Sequence, residues 1–214
     1  MKVLAINGGP RKNWNTAKLL AKALEGAVSA GAEACETVHL YDLNFKGCSS
    51  CFMCKRKDGH PGKCAMNDGL SPVLEQIKGV GLLLLASPIY LSDVTGAMRS
   101  FLERALFSNL AYRATDRSCF KGRANVGFIY TMNVTQEAME TLGYERIYKE
   151  NVRYLSNLNG RVEYLASTDT YQFDDYSKYE APLFDEAKKA NARETQFPED
   201  LRNAFDMGAR LAGN

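Results

Sequence analysis

A surplus of charge of either sign is nearly absent from this chain. Its 27 Lys and Arg stand against 25 Asp and Glu, a formal net charge of +2. That is too little for the basic footprint of a general nucleic-acid binder. Long apolar runs are missing as well. The longest, around Leu82 to Ala86, falls far short of the roughly 20 residues that a membrane-spanning helix requires. A secretory signal needs a basic start, an unbroken apolar stretch and a small-residue cleavage site, whereas Met1 to Ile6 runs straight into Asn7-Gly8-Gly9-Pro10. These absences predict a soluble, cytoplasmic protein with neither membrane nor nucleic acid among its partners. There is also no repeat, low-complexity segment or linker, so one domain over residues 1–214 is expected. Hydrophobic residues make up 45% of the chain, sufficient for a core, which excludes intrinsic disorder.

What is present alternates. Runs rich in β-branched residues and Leu recur at Lys2 to Ile6, Thr37 to Tyr41, Val80 to Ala86, Asn125 to Thr131 and Arg161 to Ala166, and read as strands. Helix-period stretches lie at Thr16 to Ala30, Ser71 to Lys78, Thr95 to Leu106, Gln136 to Leu155 and Glu199 to Leu211. In the third, Met98, Phe101, Leu102, Ala105 and Leu106 mark one buried stripe. Apolar strands alternating with helices imply a parallel sheet covered on both faces and joined by right-handed crossovers.

Two loops carry chemistry. Asn7 to Thr16 joins the first strand to the first helix at the carboxyl edge of the sheet. Its glycines let a ligand approach the backbone, its amides and the helix N-terminus favour an anion, and Arg11, Asn15 and Thr16 add donors. The loop lacks the Gly-Lys-Ser/Thr of a Walker loop and the G-x-G-x-x-G of a dinucleotide site, so a mononucleotide phosphate fits it better. A plain strand-to-helix turn is the alternative. The second loop, Ser87-Pro88-Ile89-Tyr90-Leu91, follows the third strand. In the strand order 2-1-3-4-5 it faces the first across the switch point, where Tyr90 offers a flat face to a planar ring.

The Gly8-x-Pro10-Arg11-x-x-x-Asn15-Thr16 loop, the Ser87-Pro88-Ile89-Tyr90 loop and the Thr95-Gly96-x-Met98-Arg99-x-Phe101-x-Glu103-Arg104 helix together resemble the NAD(P)H-dependent FMN reductase and iron-sulfur flavoprotein family. The resemblance runs from Met1 to about Phe107, with a further similar stretch at Thr170 to Tyr179. It implies a flavodoxin-like α/β fold, a doubly wound five-stranded parallel sheet of order 2-1-3-4-5 with helices on both faces. It also implies bound FMN, NAD(P)H as electron donor, a small-molecule acceptor or redox-protein partner, and a homodimer or homotetramer. The FMN phosphate maps onto Gly9, Arg11, Asn13, Asn15 and Thr16, and the isoalloxazine onto Pro88, Ile89, Tyr90 and Leu91. Thr131, Met132 and Asn133 follow the fourth strand at the same edge and join the expected flavin contacts. Gly9 stands where members usually carry Ser, and Trp14 where Gly is common; a weaker phosphate grip or a displaced loop is expected, or else Trp14 covers the phosphate or fills a subunit contact. No catalytic acid or base is demanded, because the flavin carries the chemistry.

Six cysteines complete the picture. Cys48, Cys51, Cys54 and Cys64 form C-x2-C-x2-C-x9-C within a Cys-rich loop at 47–64, and Cys35 and Cys119 stand apart as expected packing residues. Iron-sulfur members use a compact motif of this kind with a shorter last gap. Three readings stay open: a [4Fe-4S] cluster on these four cysteines, a metal-free loop that shapes the site or a dimer contact, or zinc. Lys55, Arg56, Lys57 and Lys63 would offset a cluster's charge or keep the loop solvated. His60 is a loop residue that could ligate, His39 a sheet residue, and Asp68 the expected N-cap of the next helix. The aromatic stretch Tyr164, Tyr171, Phe173, Tyr176 and Tyr179, which includes an excursion at 168–181, is expected to form a lid or dimer contact over the flavin, or a long surface excursion whose tyrosines pack on their own helix.

Overall fold

The computed structural model describes residues 1–213; the side chains of residues 34–36 lie outside the described set, and the expectation for Cys35 with them. Strand β1 (Lys2–Asn7) sends Val3 and Ala5 to one face and Leu4 and Ile6 to the other, all buried, as period-2 geometry requires of a central strand. Around it the elements run α1 (Asn15–Ser29), β2 (Glu33–His39), α2 (Ser71–Ile77), β3 (Leu82–Tyr90), β4 (Asp93–Val94), α3 (Gly96–Asn109), β5 (Ala124–Thr131), α4 (Gln136–Thr141), α5 (Glu145–Leu155), β6 (Asn159–Ser167) and α6 (Glu186–Ala212). The parallel strands lie in the order β2-β1-β3-β5-β6, which is 2-1-3-4-5 once the short β4 is set aside. This is the flavodoxin-like arrangement expected. β4 was not anticipated; it pairs antiparallel with the end of β3 and makes a small hairpin, Ile89 opposite Val94 and Tyr90 opposite Asp93.

Two cores result. On one face α1 and α6 cover Val3, Ala5, Leu82, Leu84 and Ile129; on the other α2, α3 and α5 cover Leu4, Ile6, Leu83, Leu85 and Phe128. Each fully buried Leu removes enough apolar surface to contribute about 2 kcal/mol. Where α1 crosses α6 the backbones meet directly. A Cβ on Gly26 would lie 1.9 Å from the Phe205 carbonyl oxygen, and one on Gly208 would lie 1.8 Å from that of Ala23, so only glycine permits the contact.

Several features differ from the sequence reading. β3 runs on to Tyr90, so Ser87 to Tyr90, expected as a loop, are the last residues of the strand, held by pairing with β5 and β4. β2 spans Glu33–His39 rather than Thr37 to Tyr41, because the chain turns into a single 3-10 turn at Leu40–Asp42 that buries Leu40 under α3. The stretch Gln136 to Leu155 is two helices. Gly143 adopts φ +70°, a left-handed conformation that ends α4, and the apolar period resumes beyond it. α6 begins at Glu186, capped by Asp185, and runs through Pro198. Proline there forfeits one ladder bond, but the buried Phe197, Ala204, Met207 and Leu211 hold the helix against the sheet. Finally, Asp68 is not the N-cap of α2: it accepts from the Leu70 amide two residues on, and its carboxylate pairs with Arg104.

Candidate active site

At the carboxyl edge of the sheet the loops after β1, β3, β5 and β6 converge. Parallel register sets this up, since Asn7 pairs with Ala86 and Pro88 with Thr131, so the chain leaves three adjacent strands at one level. Short bonds tie the first two loops together. The Gly8 amide donates to Ala86 O (2.8 Å), and the Thr95 hydroxyl donates to Gly8 O (2.7 Å) while accepting from the Met98 amide to cap α3.

Between them lies a cleft of about 610 Å³, within the usual range for small-molecule sites, about 300 to 1,000 Å³. The structure brings Gly9, Arg11, Asn15, Thr16, Pro88, Ile89, Tyr90, Thr131, Met132 and Asn133 to its walls. Asn13 and Leu91 do not line it. Asn13 is exposed, and Leu91 sits at the tip of the β3–β4 hairpin, where left-handed backbone at Leu91 (φ 49°) and Ser92 (φ 64°) turns its side chain fully into solvent. Burial pushes the Tyr90 phenol up, so it faces the cleft as a neutral group.

The first loop is built differently from the expectation. Its side-chain donors hold the 168–181 excursion: Arg11 donates to Gln172 O (2.7 Å), Trp14 Nε1 to Tyr171 O (3.0 Å) and Asn15 Nδ2 to the same carbonyl (2.7 Å). Arg11 also lies over the Trp14 ring at 4.7 Å. The Thr16 hydroxyl pairs with that of Thr131 at 2.7 Å. The Gly9 amide is spent on Asn7 Oδ1 (2.8 Å), so what is left open is backbone at the start of α1. The N-cap of α1, Trp14, makes no side-chain cap bond, and no acid occupies the first turn. Amide groups at that terminus lack intrahelical partners and point toward the cleft end of the helix.

Lys189 and Arg193 have no local signal in the sequence, while Asp169, Thr170 and Gln172 arrive with the 168–181 excursion. Thr170 bonds Met132 O through both its amide and its hydroxyl (3.0 Å each), and Gln172 Oε1 accepts from Asn133 Nδ2 (2.8 Å). Arg193 of α6 donates to Asn15 Oδ1 (2.7 Å), which turns the amide of Asn15 toward Tyr171. Lys189, almost fully buried, bonds Asp169 Oδ1 (2.5 Å) and the Asn133 carbonyl. Among the described residues, Asn133 Oδ1 is a buried oxygen with no hydrogen-bond partner, and Asn133 lines the cleft. The excursion itself folds on its aromatics: Phe173 stacks on Tyr179 at 3.9 Å, and Tyr176 meets Tyr171 and Phe173 edge-on.

A second centre lies on α3. Cys48, Cys51, Cys54 and Cys64 line one small pocket, closed on the helix side by Glu103, Arg104 and Phe107. Glu103 accepts from the Cys48 amide (3.0 Å), and the fully buried Arg104 donates Nε–H to Cys64 Sγ (3.0 Å). Lys55 is spent on the end of α3, where it donates to the carbonyls of Phe107, Ser108 and Leu110; Arg56 pairs with Asp58. Burial raises the Cys54 thiol, and the Lys55 ammonium opposes this. Ser50 (φ 53°) and Phe52 (φ 56°) hold left-handed backbone between the cysteines, a strain of about 1 to 3 kcal/mol each. No group of three or more His, Cys, Asp or Glu among the described residues is arranged around a single ion. His60 lines a separate cavity behind the loop. Cys119 is half-exposed rather than buried and packs beside Gly62.

Residues 1–142 match the family model described as NADPH-dependent FMN reductase. The chain belongs to that family. An iron-sulfur flavoprotein of Archaeoglobus fulgidus is 34% identical over 118 residues, 55% of each chain. An iron-sulfur flavoprotein of Methanocaldococcus jannaschii is 32% identical over 105 residues, 49% of this chain and 52% of the other. The chain thus matches about half the length of these curated relatives. Among solved structures, an NAD(P)H:quinone oxidoreductase from Methanothermobacter marburgensis superposes with a TM-score of 0.70 at 16% identity, covering 100% of this chain and 98% of that one. An FMN-dependent NADH-azoreductase from Bacillus anthracis gives 0.67 at 12% identity, with 99% of each covered. At such identities these two show the fold.

Proposed function

We propose that this protein binds FMN in the edge cleft and passes electrons from NADH or NADPH to a small acceptor such as a quinone, free flavin, nitro compound or metal ion. The observation that carries the reading is the convergence of the β1, β3 and β5 loops on one cleft that offers an anion site at one end and an unpartnered acceptor, Asn133 Oδ1, elsewhere in its wall. FMN has a phosphate for the first and a ring N–H for the second, so the residues present fit it. FMN when bound supplies the hydride and electron chemistry. The chain's own residues do the rest. The α1 amides receive the phosphate, Pro88 to Tyr90 and Thr131 to Asn133 bracket the ring, and the Phe173–Tyr179 stack leaves a flat apolar face for a planar partner. Leu91, fully exposed beside the cleft, supports a homodimer or homotetramer. Five free thiols among the described residues suit a single domain working in a reducing cytosol.

A visible spectrum tests this. Purified protein should show resolved flavin bands, and anaerobic NADH or NADPH should bleach them. A colourless protein that fails to take up FMN would refute it.

A second reading, an iron-sulfur flavoprotein that acts in electron transfer through a [4Fe-4S] cluster, is favoured by the four cysteines lining one pocket on a strained loop. A cube spreads its thiolates over four irons, so it does not require the single-ion arrangement of zinc.

A further inference from the structure

We propose that Arg104 is the positioning residue that makes Cys64 the fourth sulfur of the cysteine pocket and sets the potential of the cluster held there; this rests on the iron-sulfur reading. Nine residues, Lys55 to Lys63, separate Cys64 from Cys54, and spacing alone does not return Cys64 to the other three. Arg104 does. Its side chain has no solvent exposure. Nη1 donates to Asp68 Oδ2 (2.8 Å) and to the Lys46 carbonyl (2.9 Å), and Nη2 donates to Asp68 Oδ1 (3.2 Å). With that edge of the planar fork fixed, the direction of the remaining Nε–H is fixed too, and it meets Cys64 Sγ at 3.0 Å.

The preceding residue, Glu103, holds the other end of the motif through the Cys48 amide at 3.0 Å. Adjacent residues of one helix therefore grip the first and last cysteines, and the loop between them is free to vary in length. Cys119 is the rival thiol. It lies beside Gly62, close to the same segment, but it does not line the pocket. A hydrogen bond from a buried cation to a cluster sulfur favours the more negative, reduced state, so Arg104 raises the potential. Lysine has no Nε–H and no fork, and does not replace it.

The test is anaerobic reconstitution of the full chain with ferrous iron and sulfide, read as iron per chain and as the midpoint potential from an EPR-monitored titration. Wild type and Cys119→Ser should load equally, and Cys64→Ser should lose the four-iron signal. Arg104→Lys, checked for folding by circular dichroism, should load less iron or hold a cluster whose reduced state is disfavoured about tenfold, which for one electron is a shift of about 59 mV to lower potential. Should Arg104→Met fail to fold, Arg104→Lys carries this arm alone. Unchanged loading and potential in Arg104→Lys, or full loading of Cys64→Ser, overturns the proposal while wild-type loading upholds the iron-sulfur reading. A wild type that takes up no iron overturns both.

Discussion

Replacing Gly208 with Ala sets helix propensity against packing, and the two predict opposite signs. In an open helix the change gains about 1 kcal/mol. At Gly208 the new Cβ would fall 1.8 Å from the Ala23 carbonyl oxygen, where ordinary contact begins at 3.4 Å. Helix α6 must therefore withdraw from α1 by roughly 1.6 Å, more than the 0.5 to 1 Å gap that already forfeits a quarter to a half of a dispersion contact. Leu19, Leu20 and Ala27 on α1, with Met207 and Leu211 on α6, lose close packing together. Overpacking of this kind costs about 3 kcal/mol, which leaves a net loss of about 2 kcal/mol and a fall in Tm of about 4 to 8 °C for a chain of this size. Thermal unfolding followed by circular dichroism measures it, and Gly96→Ala is the control. That residue opens α3 with nothing within 4 Å of its added Cβ, so the variant should match or slightly exceed the parent. Gly26→Ala should behave like Gly208→Ala. A Gly208→Ala protein as stable as the parent would refute the close helix contact.

The other expectations are smaller in scope. Arg104 holds the Asp68 carboxyl below its usual range, so the pair adds stability that is complete above the unfolded pKa, about 4, and is lost as pH falls through the lower folded value. Asp68→Asn should destabilise the protein by about 2 to 4 kcal/mol at pH 7, because it strands a buried guanidinium, and should flatten the acid limb of a stability-pH profile. Asn133→Ala removes the unpartnered acceptor and should weaken FMN binding about tenfold in a flavin-fluorescence titration; unchanged affinity would exclude that contact. Trp14→Phe deletes the bond to Tyr171 O and should loosen the excursion, seen as faster limited proteolysis between residues 168 and 181 with Tm lowered by only a few degrees.

The core strands were legible because burial on both faces demands unbroken apolar runs, as in Leu82 to Ala86. Helix ends were less so. The apolar period of Gln136 to Leu155 continues across Gly143, so only its left-handed backbone reveals two helices. The last helix read as starting at Glu199, whereas tertiary packing carries α6 through Pro198 from Glu186. The cleft's first two walls were readable because a strand-loop-helix puts glycines and donors in one short segment. Arg193 was not, and the flagged 168–181 stretch did not say that Gln172 would meet Arg11, since both bonds join positions more than 150 residues apart. The same distance hid the fate of Arg11 and Asn15, which read as phosphate donors and instead clasp two backbone carbonyls.

The α1–α6 contact also bears on how the protein is made. During synthesis α1 leaves the ribosome early with Leu19, Leu20, Ala23 and Ala27 as a bare apolar stripe, and the helix that covers it follows more than 150 residues later. At about 5 to 20 residues per second, that stripe stays uncovered for roughly ten to thirty seconds. Until α6 emerges, one face of the nascent sheet is a natural client for a chaperone, and a chain stopped before Glu186 would remain one.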